Sequence, residues 1–136
     1  MATDVRAELL AEPTDLDRAY WDGLSEGKLR VQQCGACKRY QAPPETFCYK
    51  CGSDDITWKD ATGRGQVFSF ITVHQKYHPA FYELVPYNVS VVELAEGPRL
   101  IANLIDIDPH EVQVGMDVKA TMRPVGDRVA LFFERA

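Results

Sequence analysis

Cys34, Cys37, Cys48 and Cys51 are all the cysteines of this chain, and they form two Cys-x-x-Cys pairs in "CGACKRYQAPPETFCYKC", with ten residues between the pairs. Three chemistries use paired cysteines: disulfide bonding, thiol redox catalysis and metal binding. A redox dithiol needs one Cys-x-x-Cys at a helix start inside a βαβ pattern, and that context is missing. Disulfides suit small secreted chains, whereas the opening "MATDVRAELLAEPTDL" is acidic and has no apolar core of the signal-peptide kind. The thiols are therefore expected to be reduced. Two knuckles at this separation can wrap four thiolates tetrahedrally around one Zn²⁺ at about 2.3 Å each, with Gly35 and Gly52 easing the tight turns. Iron fits the same four ligands, as in rubredoxin, and the case for zinc rests on the absence of other redox residues.

Four cysteines close the coordination shell, while a catalytic metal keeps a position open for water, so the zinc is expected to be structural. Pro43 and Pro44 stiffen the connecting loop, and Tyr40 and Phe47 are placed to cover the thiolates. With every cysteine committed to metal, no nucleophile remains beside a recognisable base. Of the three histidines, His74 reads as an outward strand-end residue and His110 as a solvated turn residue. Asp106 and Asp108 in "IDIDPHE" read as turn-forming and solvated. Arg64, Arg99, Arg123 and Arg128 are surface cations by default, although a guanidinium can grip phosphate bidentately.

The elements that must position these groups are mainly β. "TDLDRAYWDGLSEG" reads as a helix, with Thr14 as N-cap candidate, Asp17 three residues on, and Leu16, Ala19, Tyr20 and Leu24 at helical spacing before Gly27 ends it. "KLRVQQC" and "DITWKDAT" read as strands entering and leaving the knuckles, which makes a zinc ribbon over residues 28–60. Beyond Gly63 and Gly65, "QVFSFITVHQ", "YNVSVVEL", "RLIANLIDI", "DVKATMRPV" and "RVALFFER" are five strands joined by legible turns. Five short antiparallel strands predict a closed or nearly closed OB-type barrel over residues 61–136, because closure removes exposed edges. Its core is expected to be separate from the ribbon, with Phe68, Phe70, Phe132 and Phe133 inside it. Residues 1–27 form the N-terminal helical segment. Tyr20 and Trp21 sit on a helix too short to bury every apolar residue, so a partner surface is expected there.

One connection is longer than a hairpin needs. "KYHPAFYELVP" carries Lys76, Tyr77, His78 and Phe81, a mix of one positive charge and aromatic faces that suits a ligand part phosphate and part flat ring. A net charge of −5 argues against nonspecific affinity for a polyphosphate backbone, and no apolar run approaches the roughly twenty residues of a membrane span. A soluble, cytoplasmic protein is expected. A zinc ribbon followed by an OB barrel also describes single-stranded nucleic-acid modules, but those pair stacking aromatics with an electropositive groove, and here acidic residues outnumber basic ones.

Taken in order, "YWDGLSEGKLRVQQC", the two knuckles with "PP" between them, "GRGQVFSFITVH", "PYNVSVVELAEGPRL" and "VGMDVKATM" resemble the family known as domain of unknown function thirty-five. The resemblance covers roughly residues 20–133. It implies a rubredoxin-like zinc ribbon with an OB-fold, acting as a noncatalytic partner of thiolase-fold enzymes such as ketothiolases, acyltransferases and the thiolase-like aldolases of sterol side-chain breakdown. It further implies a hetero-oligomer with acyl-CoA at or near the interface, bordered by the barrel. The runner-up remains an OB-fold module for single-stranded nucleic acid.

Overall fold

The computed structural model describes residues 9–136. Helix α1 (Arg18–Ser25) opens on the pairing that the sequence suggests: the Thr14 N–H donates to Asp17 Oδ1 at 2.6 Å, and the Asp17 N–H donates to Thr14 Oγ1 at 3.3 Å. This reciprocal capping closes a turn over residues 15–17, so the regular helix begins one turn later than the periodicity predicts. Its end is a Schellman motif, with Gly27 at φ 77°, the Gly27 N–H bonded to Leu24 O and the Lys28 N–H reaching back to Gly23 O at 2.8 Å. Only a residue free of a Cβ takes that left-handed turn without strain.

The ribbon is a three-stranded antiparallel sheet in the order β2 (Tyr40–Gln41), β1 (Arg30–Cys34), β3 (Ile56–Asp60). The second sheet follows the order β6-β5-β4-β7-β8, built from β4 (Arg64–Val73), β5 (Tyr87–Leu94), β6 (Arg99–Ala102), β7 (Asp117–Val125) and β8 (Arg128–Arg135). Each of the five predicted barrel segments contains a strand, although β6 stops at Ala102 within the longer "RLIANLIDI" expected, and every neighbouring pair is antiparallel. The sheet curls into an OB-like half-barrel whose edges meet at one parallel bridge, Leu104 with Phe133. There the Phe133 N–H donates to Asn103 O at 3.0 Å and the Ile105 N–H to Phe133 O at 2.8 Å.

Asn88 holds that junction from inside. Its Nδ2 donates to Leu104 O at 2.6 Å and its Oδ1 accepts the Leu104 N–H at 2.7 Å, so one side-chain amide takes the place of a strand partner. Ser90 adds a third bond to Asn88 Oδ1. Both residues are buried, which explains polar residues at the inward positions of β5 between Val92 and Leu94 on one side and Tyr87 on the other.

Two expectations need correction. The ribbon and the barrel do not have separate cores: Leu29 and Val31, which lead into the first knuckle, are buried in one cluster with Val67, Val92, Leu94, Leu104, Val112, Val118 and Phe133. Those two ribbon side chains find no second sheet face within so small a unit, so they bury against the barrel instead. Phe68 is not core but 46% exposed, because a bulge between Val67 and Ser69 shifts the alternation of β4 and turns Phe68 outward. There the Arg99 guanidinium lies 3.7 Å from its ring centroid. Phe133 is fully buried, while Phe70 and Phe132 are partly so.

Candidate metal centre and neighbouring surfaces

The four Sγ atoms lie within 4.8 Å of one another, with Cys34 and Cys51 3.6 Å apart and Cys37 and Cys48 also 3.6 Å apart. A tetrahedron of sulfurs at about 2.3 Å from a central zinc has edges of about 3.8 Å, so the cage already has the size of the ion. Cys34 and Cys48, the first cysteine of each knuckle, are buried, and Cys37 and Cys51 face outward. In each knuckle the N–H of the second cysteine points at the first sulfur: Cys37 to Cys34 at 3.4 Å, and Cys51 to Cys48 at 3.5 Å. Gly52 turns the second knuckle at φ 77°, whereas Gly35 faces only the exposed Asp55 carboxylate, which can swing aside for a Cβ.

The electrostatics call for a cation. The Cys51 N–H, joined by that of Lys50, draws the Cys48 thiol down to about 6, and the Cys37 N–H lowers Cys34 in the same way. For Cys51, the Ser53 N–H pulls downward, but the sulfurs of Cys34, Cys48 and Cys37 together with burial push it up to about 11. Four sulfurs this close ionise together only around a positive centre, which is what a divalent metal supplies. The donor set fits one structural Zn²⁺ held by Cys34, Cys37, Cys48 and Cys51.

Two buried glutamines, which sequence reasoning missed, fix the loop between the knuckles. Gln32 donates through Nε2 to Glu45 O and accepts the Glu45 N–H, both at 2.9 Å. Gln41 donates to Phe47 O and to Gln32 Oε1 and accepts the Tyr49 N–H, each at 3.0 Å. The available signal was "VQQC", whose first glutamine stands where alternation asks for a polar outward residue yet is 3% exposed. Tyr40 packs on the shared core, and Phe47 stays 48% exposed.

The long loop separates into two parts. His78 caps a short 3-10 turn over Pro79–Phe81 by accepting the Ala80 N–H on Nδ1 at 3.0 Å. Phe81 packs between His78 and Tyr87, with ring centroids 6.3 and 5.7 Å away. Lys76 and Tyr77 project to solvent, Tyr77 being 72% exposed, and Lys76 Nζ lies 5.9 Å from the Tyr82 ring centroid. His74 and His110 are exposed, Asp108 caps the 3-10 turn Pro109–Glu111, and Asp106 pairs with Arg123.

On α1, Tyr20 and Trp21 meet edge-to-face at 5.2 Å, and Tyr20 packs against the core. Burial, with the Asp17 charge nearby, pushes the Tyr20 phenol up to about 12. Arg128 covers the Trp21 ring at 4.5 Å. Both aromatics line a groove of about 410 Å³ between α1, the ribbon and β6.

Comparison with known proteins agrees with this architecture. Residues 21–57 match the profile "ChsH2, rubredoxin-like zinc ribbon domain" and residues 58–123 match "ChsH2, C-terminal OB-fold domain". The chain is 44% identical over 103 residues to a probable enoyl-CoA hydratase alpha subunit of Thermomonospora curvata, covering 75% of this chain and 32% of that protein. It is 36% identical over 102 residues to the 3-oxo-4,17-pregnadiene-20-carboxyl-CoA hydratase alpha subunit of Mycobacterium tuberculosis, with 75% and 32% covered. It thus spans about a third of the length of these subunits. A DUF35 domain-containing scaffold protein of Pyrococcus furiosus is 33% identical over 119 residues, 85% of this chain and 84% of that one. The solved Ltp2-ChsH2(DUF35) aldolase contains a chain that superposes with a TM-score of 0.83 at 34% identity, over 93% of this chain and 98% of its counterpart. With both halves matched in order and the four-cysteine cage in place, the chain belongs to the ChsH2/DUF35 family of zinc-ribbon and OB-fold proteins.

Proposed function

We propose that this chain is a noncatalytic, cytoplasmic subunit of an acyl-CoA enzyme assembly of lipid or steroid breakdown, in which it binds a thiolase-fold enzyme and forms one wall of the acyl-CoA site. The observation that carries this reading is the commitment of all four cysteines to one closed metal cage, which leaves no cysteine free to serve as a nucleophile. Relatives named as scaffold proteins, and others named as hydratase subunits, support a role inside an assembly.

The long loop is the part we assign to the acyl-CoA channel. Lys76 and Tyr77 are its solvent-facing groups and would meet phosphate and a flat ring, while His78 and Phe81 hold the loop's shape through the Ala80 and Tyr87 contacts. In the assembled enzyme, Lys76→Ala with Tyr77→Ala raises KM for acyl-CoA and leaves kcat nearly intact. An equal fall in kcat at constant KM points to a damaged interface instead, and wild-type kinetics removes the loop from the site. The nucleic-acid alternative has less support, since the ring of the outward Phe68 is already occupied by Arg99 and the net charge is −5. Salt-sensitive binding to a single-stranded oligonucleotide would restore it.

A further inference from the structure

The half-barrel is open along part of its seam, and the hydrogen-bond phase shows which groups face the opening. In an antiparallel ladder, residue pairs that exchange both backbone bonds alternate with pairs that exchange none. The Leu94 N–H donates to Pro98 O at 2.9 Å, and the register then puts Val92 with Leu100 and Ser90 with Ala102 in the same bonded phase. Arg99 and Ile101 therefore direct their N–H and C=O groups away from β5. The other end of the strand agrees, because Asn103, next in the outward phase, gives its carbonyl to Phe133. Beyond that point the parallel pairing stops: Leu104 with Phe133 is the one bridge between the two edges among the described residues.

The two sides of the open seam differ. The β8 side is covered by α1, with Arg128 stacked on Trp21. On the β6 side no described residue bonds to the outward backbone groups of Arg99 and Ile101, and Ile101 is 76% exposed. Beside this edge runs the groove of about 410 Å³, lined by Tyr20, Trp21, Pro43, Trp58, Ile101 and Leu131 among others. It adjoins a recess of about 320 Å³ bordered by Arg39, Tyr49 and Arg99, the two sharing Gln41, Ala42 and Arg99 in their walls. Arg99 is paired with Glu93 at 2.9 Å, but Arg39 has no carboxylate within salt-bridge distance among the described residues. A strand edge that no described residue pairs, an apolar trough beside it and an uncompensated cation where the trough ends select one kind of occupant.

We propose that the free edge of β6 receives an extended segment of a partner polypeptide as an added strand, apolar where it crosses Trp21, Trp58 and Ile101 and acidic where it leaves past Arg39. Four to five residues suffice, since Arg99–Ala102 spans about 13 Å at about 3.3 Å per residue. That the segment belongs to the enzyme subunit rests on the function proposed above; the edge itself does not.

Hydrogen exchange on the full chain, alone and in complex with its co-expressed enzyme subunit, tests this. The Arg99 and Ile101 amides should exchange fast in the free chain and slow at least about tenfold in the complex, while Leu100 and Ala102, already bonded to β5, change little. Ile101→Pro removes an outward donor without touching the β5 ladder and should weaken the complex about tenfold or more. Ile101→Thr keeps the donor and should weaken it less, and Arg39→Glu should weaken it most at low salt. A complex that forms while Arg99 and Ile101 keep exchanging overturns the added strand and leaves the subunit role standing. Failure of any complex to form with the enzyme subunit overturns the subunit role, and this assignment with it.

Discussion

Cys34 illustrates how much depends on one atom. Its sulfur is fully buried, accepts the Cys37 N–H and stands 3.6 Å from Cys51 Sγ, so a hydroxyl there would shorten one arm of the cage and weaken its hold on a soft metal. Cys34→Ser is expected to reduce zinc below one ion per chain, measured by elemental analysis after dialysis against a mild chelator. Tyr20 carries a pH signature instead. Its phenol titrates near 12 in the fold against about 10 when unfolded, so between those values the unfolded chain releases a proton that the folded one keeps. Stability therefore falls as pH rises from 10 to 12, by an amount on the order of 2–3 kcal/mol, and is unaffected by this group below 10. Denaturant titrations at pH 9 and pH 11.5 should show that loss in the wild type and a smaller one in Tyr20→Phe.

Among the elements, the seam and the knuckle loop depend on side-chain amides acting as backbone. Asn88→Leu keeps the volume near and strands the buried Leu104 N–H and C=O, which costs on the order of 2–5 kcal/mol. Asn88→Asp leaves an acceptor but no donor for Leu104 O, so it should be better tolerated at low pH, where the carboxyl is protonated and can donate. Thermal melts at pH 5 and pH 8 separate these two variants from the wild type. In the ribbon, Gln32→Leu frees the Glu45 N–H and C=O in the same manner. Faster proteolysis between Pro43 and Phe47, with zinc retained, is the expected result.

For the molecule as a whole, the shared core makes ribbon and barrel one cooperative unit. Leu29 and Val31 each contribute roughly 1.5–3 kcal/mol by burial against Val67, Val92 and Phe133, so loss of the metal should be felt in the barrel. Zinc removal is expected to give a single thermal transition at lower temperature, not a melted ribbon beside an intact barrel. Calorimetry of the chelated protein checks this, and two resolved transitions with the upper one unchanged would contradict it.

The metal cage was legible in the sequence because ligand spacing is a local property: two Cys-x-x-Cys turns dictate where four sulfurs can meet. The helix, the two ribbon strands that enter and leave the knuckles and the five barrel strands were legible for the same reason, through periodicity and turn residues such as Gly27 and "AEGP", whereas the two-residue β2 was not, because it is too short to carry a period. What only the tertiary structure decided depends on which surfaces meet. The bulge that exposes Phe68, the amides of Asn88 and Gln32 that replace strand partners, and the burial of Leu29 and Val31 in the barrel core join residues distant along the chain. Alternation along one strand carries no information about its partner's register, and so it could not show that the barrel closes at Phe133 and stays open beside Ile101.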